Sequence, residues 1–296
     1  MSTFEPVWGP LIAGYLFLAG LGAGAFVFAF LLQKSAPHAF KIRRFAHILS
    51  PIAVVCGLVL LLIDATGALH NPLKLILLFS NDQSVMTWGV YFLIVFLIIS
   101  VTVMVIDLKK NYLIPRFLSV LGVILSFCVA LYTGVLLGVC NTFPLWNNAL
   151  LPPFFLMSAL SAGGASLLLY GALFAPEELS EVAALKKLQL PLAVIELLFL
   201  AALLIITSHN SSAGAASIAM LVAGTWSPWF WIGLVLCGLL LPIIADARSL
   251  IFSAKAHTES AALRYTDIGI NVLALGGGFL LRFLIVMAAV PLAIAT

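Results

Sequence analysis

Few side chains in this sequence are able to do chemistry, and their positions are informative. Asp64 closes the apolar run Leu60–Asp64 and is followed at once by Thr66, Gly67, His70, Asn71 and Pro72. A carboxylate at the end of such a run needs a reason, because a charge at membrane depth is costly unless it faces a cavity or a partner. Tyr15 and Tyr132 interrupt two other apolar runs, and Glu196 and Arg282 two more. A carboxylate exchanges a proton, and a phenol bonds a carbonyl or hydroxyl oxygen.

These groups must be positioned by membrane helices. Of 296 residues, 64% are hydrophobic and 8% charged, against about 25% charged in a soluble domain. Eight segments reach the ~20 apolar residues that a span needs, at roughly 11–32, 46–66, 87–106, 116–138, 150–174, 188–207, 228–246 and 268–291. Helices are expected, since an open sheet leaves its backbone unsatisfied in lipid. The opening MSTFEPVWGP has Glu5 and no Lys or Arg, the wrong charge for a cleavable signal peptide.

Twelve of the 14 basic residues fall in the loops after helices 1, 3, 5 and 7, among them Lys41, Arg43, Arg44 and Lys186. Basic loops stay inside, so both termini are expected outside. All six tryptophans then fall on the outer side, as an aromatic belt or as a docking floor for an extrinsic partner. Gly24 and Pro51 recur as Gly164 and Pro191, at one offset of 140 residues. With four helices per half, the pattern reads as two parallel repeats, 1–145 and 146–296, each a four-helix bundle.

With this orientation Tyr15, Asp64 and Tyr132 share a depth near the outer face. A quinone needs partners at its oxygens, a protonatable group nearby and apolar walls, and these three residues fit. Tyrosines of the interfacial belt, and an Asp64 that caps the Thr66-Gly67 turn, are the competing readings. His70 is a further candidate at the headgroup, against a plain position in interfacial water. Glu196 and Arg282 read either as a proton path or as a structural polar pair. Asp107 and Asp246 read as solvated at inner helix ends. The histidines His38, His47, His70, His209 and His257 offer no facing mid-helix pair for a haem. The four cysteines form no C-x-x-C and read as small buried hydrophobes. No metal site is expected, so another subunit must deliver or remove electrons. Nothing points to nucleic acid. A secondary transporter is the alternative that parallel repeats allow, although the spans lack clear mid-membrane breaks.

The segments PLIAGYLFLAGLGAGAF (10–26), LLIDATGALHNPLKLILLFSNDQSVMTWGVY (61–91), LYTGVLLGVCNTFPLWNNALLPPFFLMSALSAGGA (131–165), VIELLFL (194–200), WSPWFWIGL (226–234) and GGGFLLRFLIV (276–286) resemble the NrfD/PsrC family. The resemblance implies a quinone-reactive subunit of a respiratory complex in the bacterial or archaeal cytoplasmic membrane, using menaquinone or ubiquinone. It implies no haem or iron–sulfur cluster in this chain. Electrons would pass between quinol and a four-cluster iron–sulfur subunit on the outer face, itself bound to a molybdopterin or multihaem catalytic subunit. Related subunits of larger complexes translocate protons, which is a further alternative. Asp64 matches the family's aspartate after helix 2 and Tyr132 its Y-T-G tyrosine, which makes these two the candidate catalytic residues. Tyr15 falls where a related subunit has histidine. The family's D-L-G-R-P reads Asp64-Ala65-Thr66-Gly67 here, so the usual arginine is absent and His70 or Lys74 is left to serve in its place.

Overall fold

The structure, a computed structural model, describes residues 8–64, 85–109, 114–252 and 261–292. All regular elements among the described residues are helical. They are α1 (Pro10–Ser35), α2 (Phe40–Asp64), α3 (Val85–Leu108), α4 (Arg116–Gly138), α5 (Leu151–Phe174), a 3-10 turn (Pro176–Glu178), α6 (Ala183–Asn210), α7 (Ser212–Val222), a π-helical stretch (Trp229–Leu240) running into α8 (Leu241–Phe252), and α9 (Ala261–Met287). Eight of the helical stretches are long and apolar enough to cross a membrane, in agreement with the spans expected.

The differences lie at the ends. Helix α2 begins at Phe40 rather than 46, and α6 at Ala183 rather than 188, because hydropathy marks the lipid-covered part of a helix and not its polar first turns. The short α7 falls between spans, where apolar length gives no signal. Its start follows from Ser211, whose hydroxyl accepts from the Gly214 N–H as an N-cap. One span also departs from α-geometry, in the π-helical stretch Trp229–Leu240.

Helix α1 is the most enclosed span. It packs on α2, α4, α5 and α9, which its small residues permit. At its crossing with α5, a Cβ on Gly24 would overlap the Ala159 carbonyl, and one on Gly163 would overlap the Gly24 backbone. The contacts close two rings of four, α1–α2–α3–α4 and α5–α6–α8–α9, joined chiefly through α1 and α5.

The two ends of the helix set differ in chemistry. At one end Trp8 stacks on Trp146, with centroids 5.1 Å apart, and the Leu292 N–H donates to the Thr142 carbonyl. Asn148 there donates to the Thr207 hydroxyl at 3.3 Å. Trp88, Trp229 and Trp231 stand exposed near the starts of α3 and the π-helical stretch. At the opposite end Lys41 is hydrogen-bonded to Glu177, Lys186 to Asp267 at 2.6 Å, and Arg264 to the Ala172 carbonyl at 2.5 Å. We call these the tryptophan end and the basic end.

Trp146 itself is 1% exposed and donates through Nε1 to the Ile285 carbonyl at 2.8 Å. It is a core residue tying the α4–α5 loop to α9, and so part of neither an aromatic belt nor a docking floor. The basic end brings a second correction. Asp107, expected in solvent, is 9% exposed. It accepts from Arg43 at 3.1 Å and is hydrogen-bonded to His47 Nδ1 at 3.0 Å, while Arg44 donates to its carbonyl at 3.1 Å. Asp246 is half-buried rather than solvated. Both lie where two helices converge, so their surroundings come from a neighbour distant in sequence. The four cysteines are free, and none is the buried hydrophobe expected, since Cys56 is exposed on the outside of α2 and Cys128, Cys140 and Cys237 are half-buried.

Glu178 holds the start of α2. Its carboxylate accepts from the backbone N–H groups of Lys41 and Ile42 at 2.9–3.0 Å, where a helix N-terminus has orphan donors and favours an anion. The adjacent Glu177 carboxyl is held below the usual carboxylate range by the hydrogen bond from Lys41.

Candidate functional site

Near the tryptophan end the first ring brings Tyr15, Tyr132 and Asp64 from three helices. Tyr15 lies on the buried face of α1 and is almost fully enclosed. Its ring fits against Gly57 of α2, where an added Cβ would come within 3.5 Å of Tyr15 Cδ2. Tyr132, on α4, is also buried. Its ring covers Gly89 of α3 so closely that a Cβ there would fall on the ring atoms. Its hydroxyl reaches the Met86 carbonyl at 3.5 Å, a long contact that leaves the phenol able to turn to another acceptor. The two phenols are within electrostatic reach of each other and share one apolar cluster with Ile12, Ala13, Leu93 and Phe96.

Asp64 ends α2 and is partly exposed. A Cβ on Gly9 would lie 3.6 Å from its Oδ1, so the carboxylate sits level with the start of α1. Tyr15 comes six residues after Gly9, and Gly57 seven before Asp64, which sets the carboxylate roughly 10 Å above Tyr15 at 1.5 Å per residue. The single shared depth expected from the sequence is therefore divided. Two phenols lie deep, and the carboxylate stands above them toward the aqueous end. His70 and Lys74 lie outside the described residues.

The second ring holds the other candidates. Arg282 of α9 is fully buried, and Glu196 of α6 is 3% exposed. Arg282 donates to the Ser158 hydroxyl and the Gly278 carbonyl, both at 2.9 Å, and to the Phe155 carbonyl at 3.3 Å. Its guanidinium lies over the Phe155 ring, 5.1 Å from the centroid. Ser158 and Ser161 of α5 face the Glu196 carboxylate. Ser158, bonded to the guanidinium, thus stands next to the carboxylate. The sequence singled out Glu196 and Arg282 but not the serines between them, although Ser158 and Ser161 stand three apart on one helical face, as i, i+3 neighbours do. Also missed was a polar cavity at the basic end, lined by Lys186, Asp246, Asp267 and Asn271. Its residues come from α6, α8 and α9, and no spacing within one segment announces it. No group of three or more His, Cys, Asp or Glu side chains that could hold a metal ion occurs among the described residues.

Residues 2–293 match the family described as "Polysulphide reductase, NrfD". The chain belongs to the NrfD family. It is a multi-span integral membrane protein. The C subunit of polysulfide reductase from Wolinella succinogenes is 32% identical over 266 residues, covering 81% of this protein and 83% of that one. Protein NrfD of Escherichia coli is 28% identical over 267 residues, 80% of this protein and 83% of the relative. A shorter match, 24% over 157 residues, covers 53% of this protein and 39% of the Hdr-like menaquinol oxidoreductase integral membrane subunit of Archaeoglobus fulgidus.

Proposed function

We propose that this protein is the membrane anchor and quinone-reactive subunit of a multi-subunit respiratory oxidoreductase. The tryptophan end and both termini face outward from a bacterial or archaeal cytoplasmic membrane, since the basic end carries the loops that stay inside. The observation that carries the reading is the pair of buried phenols, Tyr15 and Tyr132, beneath the Asp64 carboxylate in an apolar ring of helices. The names of the relatives, a polysulfide reductase subunit and a menaquinol oxidoreductase subunit, support the same chemistry.

The residues divide the work. Tyr132 holds one oxygen of the quinol headgroup, exchanging its long contact to Met86 for a better acceptor. Tyr15 closes the floor of the site. Asp64, nearer water, takes the proton that leaves the hydroxyl as the quinol becomes quinone, and passes it outward. Each quinol loses two protons and two electrons, and the electrons cross to an iron–sulfur partner docked at the tryptophan end. Trp88, Trp229 and Trp231 are exposed there and suit that contact. A molybdopterin or multihaem subunit beyond it carries the terminal reaction. Reversed flow reduces quinone with the same groups. The two rings of four helices are, in this reading, parallel repeats of which the first (1–145) holds the quinone.

Asp64→Asn tests this proposal. The variant complex is expected to co-purify intact with its iron–sulfur subunit and to lose quinol-dependent turnover by about 10²–10⁴-fold, the usual contribution of a proton-transfer group. Normal turnover would sink it, and so would a protein active alone as a transporter.

A second reading has its own observation, the buried Glu196 facing Ser158 and Arg282 in the second ring. In it the protein also moves protons through Glu196 and Arg282. Proton uptake by sealed vesicles, with and without Glu196→Gln, tests that reading.

A further inference from the structure

Beyond Arg282 and Ser158, which face it, Glu196 has polar groups toward the basic end and apolar ones toward the tryptophan end. Toward the basic end, the buried face of α6 carries Gln189 two turns from Glu196, with Ala193 between. Gln189 is 5% exposed, and its Nε2 lies against Gly164 with no hydrogen-bond partner. A buried donor left unpaired is rare and calls for a water. One turn further on, Lys186 borders a cavity of about 40 Å³ shared with Asp246, Asp267 and Asn271, enough for a few waters. Asp267 also borders a mostly apolar groove of about 1030 Å³ between α8 and α9, whose other polar groups are Arg248, Ser249, Tyr265 and Thr266. Polar groups therefore follow one another from the surface of the basic end to within two turns of Glu196.

Toward the tryptophan end the same face of α6 carries Leu200 and Leu203, with Phe154 packed against Phe199. Thr207 is the next polar group, and it is hydrogen-bonded to Asn148. The charged group facing Glu196 is Arg282 of α9, and α5 presents the hydroxyls of Ser158 and Ser161. Asp246 faces Lys186 of α6 and Asp267 of α9.

We propose that Glu196 exchanges its proton with the aqueous phase at the basic end alone, by way of Gln189 and the cavity at Lys186, Asp246, Asp267 and Asn271. The exchange moves one proton and no electron. Hydronium in the cavity gives its proton through ordered water to the Glu196 carboxylate, leaving water and a carboxylic acid, and the reverse step returns it. Arg282 keeps its charge throughout and holds Ser158 in place. The inference rests on the second reading above and does not involve Tyr15, Asp64 or Tyr132.

The test uses the whole complex in sealed membrane vesicles of either orientation. Dicyclohexylcarbodiimide adds to protonated carboxyl groups in apolar surroundings, and labelled Glu196 is counted by peptide mass spectrometry while pH is stepped on one side only. Labelling is expected to fall by up to about tenfold per pH unit raised at the basic end once the group is mostly ionised, and to ignore pH at the tryptophan end. Asp246→Asn and Gln189→Leu are expected to slow the response to a pH jump several-fold. Labelling that follows the tryptophan side, follows both sides equally, or is absent at every pH would overturn the proposal. The sidedness is read on the unaltered protein, so a variant that misfolds does not shield it. Quinol turnover measured in parallel separates the two proposals, since lost sidedness with normal turnover leaves the quinone site standing.

Discussion

Gly89 gives the sharpest perturbation of the proposed quinone site, because it acts on Tyr132 without touching it chemically. In Gly89→Ala the new Cβ falls on the Tyr132 ring. The ring must retreat by roughly 2 Å to regain a carbon–carbon contact of about 3.5–4.0 Å. It has little room to do so, being buried in a continuous apolar cluster. Overpacking of this kind costs about 1–3 kcal/mol, which the protein is expected to survive with a lowered melting temperature. The hydroxyl moves with the ring, and a misplacement of about 1 Å in a positioned group can cost ~10²-fold in rate. Quinol-dependent turnover of Gly89→Ala is therefore expected to fall by about two orders of magnitude, while activity of the partner subunits with an artificial electron donor is unchanged. Tyr132→Phe is the necessary companion, since it keeps the ring and removes only the hydroxyl. If Tyr132 holds a quinol oxygen, both variants lose turnover. Full turnover in a folded Tyr132→Phe complex would refute the hydroxyl's role and leave Tyr132 as a wall. Full turnover in Gly89→Ala would refute the geometry itself.

Other outcomes follow from the buried charges and the helix ends. Arg282→Met leaves the Glu196 carboxylate without the cation that faces it and is expected to destabilise the fold by about 3–5 kcal/mol, with part recovered in the double variant with Glu196→Gln; a thermal melt of both measures this, and equal melting of the single and double variants would contradict it. Glu178→Ala removes the acceptor of the Lys41 and Ile42 N–H groups and is expected to cost about 1–3 kcal/mol, read in the same melt. Lys41→Ala removes only an exposed ion pair with Glu177 and is expected to lower the melt only slightly at neutral pH. The Glu177 carboxyl, held low by Lys41, contributes only above its unfolded-state value and loses that contribution as pH falls through the lower folded one, so Lys41→Ala and the unaltered protein are expected to converge further at acid pH. Gly163→Leu drives a side chain into the α1 backbone at the crossing of the two rings and is expected to reduce the yield of assembled complex, read by co-purification.

Whatever solvation sets was legible in the order of the residues. Eight apolar stretches of sufficient length leave a polypeptide in lipid no option but helices, and the sorting of basic residues into alternate loops fixed which helix ends belong together. That was enough to gather Tyr15, Asp64 and Tyr132 at one end, and to mark Glu196 and Arg282 as buried charges in need of company. Hydropathy says nothing about which side of a helix meets which neighbour, and there the packing of the helices was decisive. It set Asp64 roughly 10 Å above Tyr15 at 1.5 Å per residue, because Gly9 and Gly57 fix the two residues at different levels of α1 and α2. Asp107 was drawn out of solvent by Arg43 and His47, one helix earlier in the sequence, and Trp146 was turned into the core toward the Ile285 carbonyl. Packing also set Arg282, bonded to Ser158 of α5, opposite Glu196 of α6. In each case the deciding contact spans tens of residues, and a buried polar group takes whatever partner the packing supplies, because leaving it without one costs more than any local preference.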